Sequence, residues 1–322
     1  MYEVHLDSRS LKKRLNITNI VKDASISFFR RGTASKLEFT VLKDDLISYG
    51  EGDTVYFYDN NRPIIKGYVF TKTQNEKKEI GTIAYDQLRY LKAKQSFEFI
   101  GKSLKDIIIT VANYFQLKVG YIEDIPYITP YYYHEAESGF DIIDYHVGQA
   151  KIQTGQELVF YDDFGELSLR KAEDLVIKYV IGTKSFATKY NYKTDIDNDT
   201  YNVIKLASPN EVTGKADIYM AKDDNNINRW GMLQRYEVIN ENLNPAQIKE
   251  YLKLLFKYHN KLFRTLKLND TLGIPGLRGG NTLTFDILNI GDISLDKKLL
   301  VDAVVHKYKG NDHTMNLDLE VR

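Results

Sequence analysis

Four short strand-like segments occur in the same order near each end of the chain, and this repeat constrains the fold more than any other feature. Near the N-terminus they begin at Leu37, Gly52, Ile64 and Gly81, and near the C-terminus at Arg264, Gly280, Leu300 and His313. Apolar and polar residues alternate along most of them, as in half-buried strands. Because an internal repeat indicates two copies of one unit, we predict two related small antiparallel β-barrels; the alternative is two unrelated β segments with similar patterns.

A glycine followed by Asp or Asn opens the second segment of each set. The pairs are Gly52 with Asp53, and Gly280 with Asn281. Glycine allows backbone conformations that other residues avoid, and Asp or Asn side chains bond to nearby backbone groups. We therefore predict that these four are barrel turn residues, which bend the chain into a strand.

Between the two sets, the hydrophobic period changes to that of helices. Ser103 is placed to cap a helix together with Asp106, and another helix is predicted after Ser138. Asn244 followed by Pro245 predicts the start of one more helix. The predicted fold class is mainly β with an α+β insert, in which two related small antiparallel β-barrel domains flank a small α+β domain.

The repeat also predicts the domain organisation. We expect a first tube-like β-barrel domain at 1–92, an α+β insert domain at 93–185, and a second tube-like β-barrel domain at 186–322 with one helix at 245–262. Three copies of such a chain would present six similar barrels around one axis, so a three-fold assembly would match a six-fold one. A homotrimeric adaptor is the inference.

Composition excludes several classes of function. With 44 basic and 44 acidic residues, the chain lacks the net positive charge of most nucleic-acid-binding domains, so no specific nucleic acid is expected as a ligand. The absence of cysteine excludes thiol nucleophiles, disulfides and cysteine-based zinc sites. No glycine-rich phosphate-binding motif occurs, so no cofactor is predicted. The 24 tyrosines favour strands and broad contact surfaces.

The N-terminus carries charge where a signal peptide needs an apolar stretch. No apolar run approaches the roughly 20 residues that span a bilayer, so no direct membrane span is expected. We predict that the protein is made in the cytoplasm.

One acidic run has the carboxylate spacing of a calcium-binding loop. Asp195, Asp197 and Asp199 match positions one, three and five of an EF-hand loop. Thr200 stands where the loop needs glycine, and Leu206 stands where it needs a bidentate Glu. A solvated acidic loop is therefore favoured.

Two histidine patterns match metal-binding motifs in part. His134 and Glu135 begin an H-E-x-x-H zinc pattern, but Ser138 replaces its second histidine. His306 and His313 flank a turn and could meet across a hairpin, but without a third candidate ligand nearby in sequence, ordinary strand histidines are favoured. No metal site and no catalytic residue is predicted, and the chain is expected not to be an enzyme.

Three consecutive tyrosines, Tyr131, Tyr132 and Tyr133, follow a proline in a predicted loop. Successive side chains of an extended segment alternate between two faces, so at least one ring is expected to be exposed. We predict a possible partner contact, and the alternative is packing against the helices of the insert.

Several stretches resemble one family of phage proteins. They are Gly52–Val55 leading to Gly67–Val69, the helix between Gly101 and Leu117, the hairpin at 162–169, and Val304–His306 followed by His313–Leu317. On these, the chain resembles the baseplate hub proteins of contractile tails, in the late-control-D and PBSX-prophage (XkdQ/YqbQ-like) group, and the related cores of contractile injection systems.

The resemblance implies a homotrimer at the end of a tail tube. Its partners would be a tail tube or tube-initiator protein above and a central spike protein below, and its final location a phage, defective prophage or bacteriocin particle made in a bacterium. Some members of the family append a lytic domain; here the last predicted strand ends at Arg322, so none is expected. A tail-associated cell-wall hydrolase and a β-rich surface or carbohydrate-binding protein are the alternatives.

Overall fold

The computed structural model describes residues 1–44, 47–182, 189–210, 214–239, 243–290 and 293–321. The described helices are α1 Leu104–Tyr114, α2 Gly139–Thr154, α3 Asp224–Trp230 and α4 Pro245–His259, with short 3₁₀ turns at Thr18–Ile20, Gln87–Lys92 and Ala172–Asp174. The described strands are β1 Tyr2–Ser8, β2 Lys13–Asn16, β3 Val21–Phe29, β4 Lys36–Leu42, β5 Thr54–Asp59, β6 Arg62–Gln74, β7 Glu79–Tyr85, β8 Lys94–Ser103, β9 Val119–Ile122, β10 Ile128–Ser138, β11 Leu158–Asp162, β12 Leu167–Lys171, β13 Val176–Gly182, β14 Lys189–Asp195, β15 Val203–Asn210, β16 Lys215–Lys222, β17 Gln234–Val238, β18 Phe263–Leu272, β19 Thr282–Ile290, β20 Ile293–Lys309 and β21 Asp312–Val321.

The two repeated segments form two units with the same strand order. Unit 1 contains β1 to β7, and unit 2 contains β13, β14 and β18 to β21. Their last four strands are hydrogen-bonded in the orders β4-β7-β6-β5 and β18-β21-β20-β19, and all these pairs are antiparallel. In addition, β3 flanks β4 as β14 flanks β18. The prediction of a mainly β chain with an α+β insert is confirmed.

A local irregularity is repeated as well. The pairing of β6 with β7 shifts register between Val69 and Thr71, and the pairing of β20 with β21 shifts between Val301 and Ala303. Such a bulge bends a strand and increases its twist, so both units bend at the same point. The units differ at one edge, where β1 pairs antiparallel with β5 but β13 pairs parallel with β19.

The two units are fused into a single sheet. Strand β3 of unit 1 pairs antiparallel with β20 of unit 2, and the described strands of both units form one 13-stranded sheet. One hydrophobic core runs beneath it and includes Ile26 and Phe57 from unit 1 and Leu266 and Phe285 from unit 2. Burial of apolar area therefore holds the units together as one body.

The α+β insert lies between β7 and β13. It contains a two-stranded sheet of β8 and β10 and a three-stranded sheet of β9, β12 and β11, against which α1 and α2 bury one core. Ser103 caps α1 as predicted, because its side chain accepts the N–H of Asp106 and the Asp106 carboxylate accepts the N–H of Ser103. The predicted boundary at 185/186 lies outside the described residues, and the domain limits stay predictions.

A further small layer interrupts unit 2 between β14 and β18. Strands β16, β15 and β17 form a three-stranded sheet, and α4 covers it through Ile248, Leu252 and Leu255. This helix ends three residues before the predicted 262. Helix α3 was not predicted from the sequence; it begins after Asp223, whose side chain accepts two backbone N–H groups at the start of the helix.

Candidate assembly surfaces

The four predicted turn residues occupy equivalent positions in the two units. Gly52 and Gly280 both have positive φ, at 83° and 93°, which side chains disfavour. The N–H of Gly52 donates to the carbonyl of Val69 at 2.7 Å, and that of Gly280 donates to the carbonyl of Val301 at 2.8 Å. Each turn thus ties the start of one strand to the bulge of the next.

The residue after each glycine locks the turn with its side chain. A carboxylate oxygen of Asp53 accepts the N–H of Gly50 at 3.0 Å, and the amide oxygen of Asn281 accepts the N–H of Arg278 at 2.8 Å. Both side chains are buried. Because buried polar atoms need partners, either residue is costly to replace, and the two turns are one motif used twice.

The two turns differ in what surrounds them. Gly52 faces the exposed side chain of Arg9, whereas Gly280 lies directly beneath Val159 of β11 in the insert. In unit 2, therefore, the turn also forms a contact between the sheet and the insert. Since only glycine allows this approach, the position fixes how closely the insert packs.

A buried arginine joins three parts of the chain. The Arg30 side chain is 3% exposed, and its Nη1 lies 2.6 Å from Glu157 of the insert. On the other side, Nη2 lies 2.6 Å from Asp302 and 3.1 Å from Glu320, both in unit 2. Sequence reasoning missed this cluster, because the three carboxylates are between 127 and 290 residues away along the chain.

The predicted approach of two histidines across a hairpin occurs at the seam between the units. His306 Nδ1 lies 2.9 Å from His313 Nε2, and His306 Nε2 donates to the carbonyl of Leu277 at 2.7 Å. His313 Nδ1 is 3.6 Å from the carboxylate of Asp59 in unit 1. The two rings bond to each other instead of pointing at a common centre, so the pair is a packing element.

No metal site is found in the described parts of the chain, where no group of three His, Cys, Asp or Glu side chains is placed to hold an ion.

Burial, with the neighbouring ring of His313, lowers the pKa of His306 to about 4. Burial, together with the positive N-terminus, lowers the pKa of His313 to about 4 as well. Both rings are therefore neutral at pH 7.

Acidification is expected to destabilise the protein through this pair. The folded-state pKa values lie below the value of about 6.5 for an unfolded histidine, so the stabilisation is present above pH 6.5 and is lost as pH falls toward 4. Each histidine contributes a slope of up to about 1.4 kcal/mol per pH unit. Urea unfolding at pH 7, 6, 5 and 4.5 measures how the free energy of unfolding changes with pH. This free energy should fall less steeply with decreasing pH in His306→Gln than in the wild type. Parallel curves for both proteins would contradict the assignment.

The three tyrosines lie on a strand, not in the predicted loop. They lie on β10, which pairs with β8 alone among the described strands. Strand β10 therefore has a free edge, where Pro130 is tolerated because proline has no N–H to donate to a neighbouring strand. Tyr131 is 41% and Tyr133 is 51% exposed, while Tyr132 packs on the other face, 4.4 Å from the ring of Tyr145. The expected alternation therefore leaves two exposed rings side by side.

The rejected zinc pattern is a buried packing cluster. His134 is fully buried, and its Nε2 lies 3.0 Å from Nε2 of His146, whose Nδ1 is bonded to the Tyr127 hydroxyl. Glu135 is exposed on the opposite face of the strand, and Ser138 caps α2. Burial, together with the neighbouring ring of His134, lowers the pKa of His146 to about 3, so the His146 ring is neutral at pH 7.

The acidic run forms a local turn. Asp195 accepts the N–H of Asp197 and the side-chain amide of Asn198, both at 2.8 Å, and Lys193 holds its pKa below the ordinary value. Asp197 and Asp199 are exposed and point to no common centre with a third ligand. The prediction of a solvated acidic loop agrees with this geometry.

The chain is similar in sequence to a family of known proteins and to two of its individual relatives. The profile of the family described as YQBQ-like matches residues 24–320. Two relatives from Bacillus subtilis (strain 168) each align over 84% of this chain and 82% of their own length: the uncharacterized protein YqbQ at 32% identity and the phage-like element PBSX protein XkdQ at 29%.

Solved structures share the fold at low identity. A tail protein from Neisseria meningitidis MC58 is 13% identical and matches with a TM-score of 0.73 over 99% of this chain and 96% of its own. An E. coli type VI secretion component, described as structurally similar to the T4 bacteriophage tail proteins gp27 and gp5, is 7% identical and matches with a TM-score of 0.58 over 93% and 73%. None of the helices in the described residues is long and apolar enough to cross a membrane.

Proposed function

Since the chain belongs to the YQBQ-like family, we propose that it is a structural, non-enzymatic component of a phage tail or phage-tail-like particle. Within the tail, it acts as the baseplate hub, a homotrimeric adaptor between the six-fold tail tube and the central spike. Two similarities support a place in the tail. The relative XkdQ is a protein of the phage-like element PBSX, and the tail protein from Neisseria meningitidis MC58 shares the fold. The likeness to a secretion component that resembles T4 tail proteins supports a place near the spike.

The observation that carries the proposal is the repeated unit. Two units in one chain share strand order, the Gly-Asp or Gly-Asn turn, and the bulge that the turn contacts. Three chains contribute six such units, so one ring offers six similar surfaces to a tube and three identical chains to a spike. An adaptor between two symmetries needs this combination.

The host of this chain provides the test. Deleting its gene and inducing particle formation is expected to give no complete tails, and a plasmid copy should restore them. Gold-labelled antibody against a tagged copy should mark one end of the tube, beside the spike. Normal tails without the protein, or label along the whole tube, would overturn the proposal.

We further propose that the exposed pair Tyr131 and Tyr133 contacts a neighbouring tail protein. Aromatic rings often anchor such interfaces, and here two stand together at a sheet edge. Changing both to Ser is expected to leave folding intact and to weaken binding to tube or spike proteins about tenfold, or ~1.4 kcal/mol. Sedimentation with tails that lack the protein measures this. The matched control is Tyr236→Ser, which changes an exposed tyrosine on β17. If the Tyr131/Tyr133 double variant bound as well as this control, the proposed contact would be contradicted.

A further inference from the structure

The junction between the two units inside the chain uses part of a long strand. Strand β20 pairs with β19 from Ile293 to Leu300, and its continuation from Ala303 to Tyr308 pairs with β3 on the same edge. Its other edge is occupied by β21 along 300–309. The connection between units is therefore made where β20 extends past the end of β19.

The equivalent segment of unit 1 lacks such a partner among the described strands. Strand β6 pairs with β5 as far as Tyr68, and from Tyr68 to Gln74 it pairs with β7 on its other edge. Beyond β5, the stretch Thr71–Gln74 corresponds to the part of β20 that binds β3. Thr71, Thr73 and Gln74 are exposed there.

The equivalent of β3 in unit 2 is β14. Leu37 of β4 in unit 1 and Leu266 of β18 in unit 2 hold equivalent positions. Ile26 of β3 pairs with Leu37, and Tyr192 of β14 pairs with Leu266, so Ile26 and Tyr192 are equivalent as well. The neighbouring pairs on both sides keep this correspondence. Among the described strands β14 pairs with β18, and the side chains of Lys189, Tyr190, Asn191, Lys193 and Thr194 are exposed.

We propose that β14 of one copy pairs antiparallel with Thr71–Gln74 of β6 in the next copy, repeating the β3–β20 junction between chains. This proposal rests on the trimer proposed above and supplies its contact. The internal junction sets Ser27 opposite Val305 and Phe28 opposite Val304. By the same register, Lys193 faces Thr73 of the neighbour and Thr194 faces its Lys72.

The sequence of the two edges permits this pairing. In the proposed register Asp195 faces Thr71 and Tyr192 faces Gln74, so no like charges stand opposite each other. Exposed sheet edges otherwise invite uncontrolled association, which pairing in a closed ring prevents. Each chain then makes one junction internally and one with its neighbour. Three chains close the ring if each junction turns the units by the same angle.

Engineered cysteines test the register directly, because the chain has none of its own. We would make Thr73→Cys with Lys193→Cys, and separately Lys72→Cys with Thr194→Cys. Adjacent cross-strand pairs alternate between wide and close spacing, and the close type brings Cα atoms to about 4.5 Å, within disulfide range. Mild oxidation is expected to give bands of two and three linked chains for at least one double variant.

The control is Thr73→Cys with Thr194→Cys, whose side chains would lie on opposite faces of the joined sheet. It should remain unlinked, and equal linking of the control would overturn the register. Each variant is also sized by light scattering before oxidation. A trimer in which neither matched pair links would overturn this junction and leave the trimer standing, whereas a monomer at every concentration would overturn the proposed function itself.

Discussion

Replacing Arg30 with alanine is expected to lower the free energy of unfolding by about 3–5 kcal/mol. The change removes the cation that Glu157, Asp302 and Glu320 share, and leaves the largely buried carboxylates of Glu157 and Glu320 without it. It also removes the ion pairs that join Arg30 to the insert and to unit 2.

Urea unfolding monitored by circular dichroism measures this effect. Lys22→Ala is the matched control, because Lys22 lies on β3, the strand that Arg30 directly follows, and forms an exposed ion pair with Glu79 at 2.8 Å. Exposed pairs contribute little to stability, so this variant should unfold close to the wild-type midpoint. If the two variants lost similar stability, the buried cluster would not hold the three parts together.

Gly280→Ala is expected to cost about 2–4 kcal/mol, and Gly52→Ala about 1 kcal/mol, although both glycines occupy the same turn with positive φ. A Cβ at Gly280 would lie 2.3 Å from Cγ1 of Val159, which is fully buried. At Gly52 the nearest atom is Nη1 of Arg9, at 3.1 Å, on a side chain free to move. Both variants suffer the backbone strain of a positive φ, but only Gly280→Ala also clashes with Val159.

Chemical denaturation of the two alanine variants separates these contributions. A further change, Val159→Ala in the Gly280→Ala background, should recover part of the loss, since it removes both contacting methyl groups. Equal destabilisation by Gly280→Ala and Gly52→Ala would mean that the insert does not pack on the turn as described.

Features encoded by local spacing could be predicted from the sequence. The strand segments starting at Leu37 and Arg264 form β4 and β18, and the caps at Ser103 and Asn244 start helices, because each depends on residues only a few positions apart. The alternation of Tyr131, Tyr132 and Tyr133 between two faces follows from strand geometry alone.

Long-range pairing could not be predicted, because alternation marks a strand without naming its partner. Strands β15 to β17 were assigned to the second barrel, yet they form a separate sheet under α4. The pairing of β3 with β20 fuses the units, and it joins residues nearly the whole chain apart. Strand β10 was predicted to be a loop, although it holds Pro130 at a sheet edge, where proline is tolerated.

The central claim, that three chains supply six equivalent units to one ring, is tested most directly by the mass of the purified protein in solution. Multi-angle light scattering across the micromolar range is predicted to give a species near three times 37.3 kDa. A single stable species of 37.3 kDa at all these concentrations would contradict it.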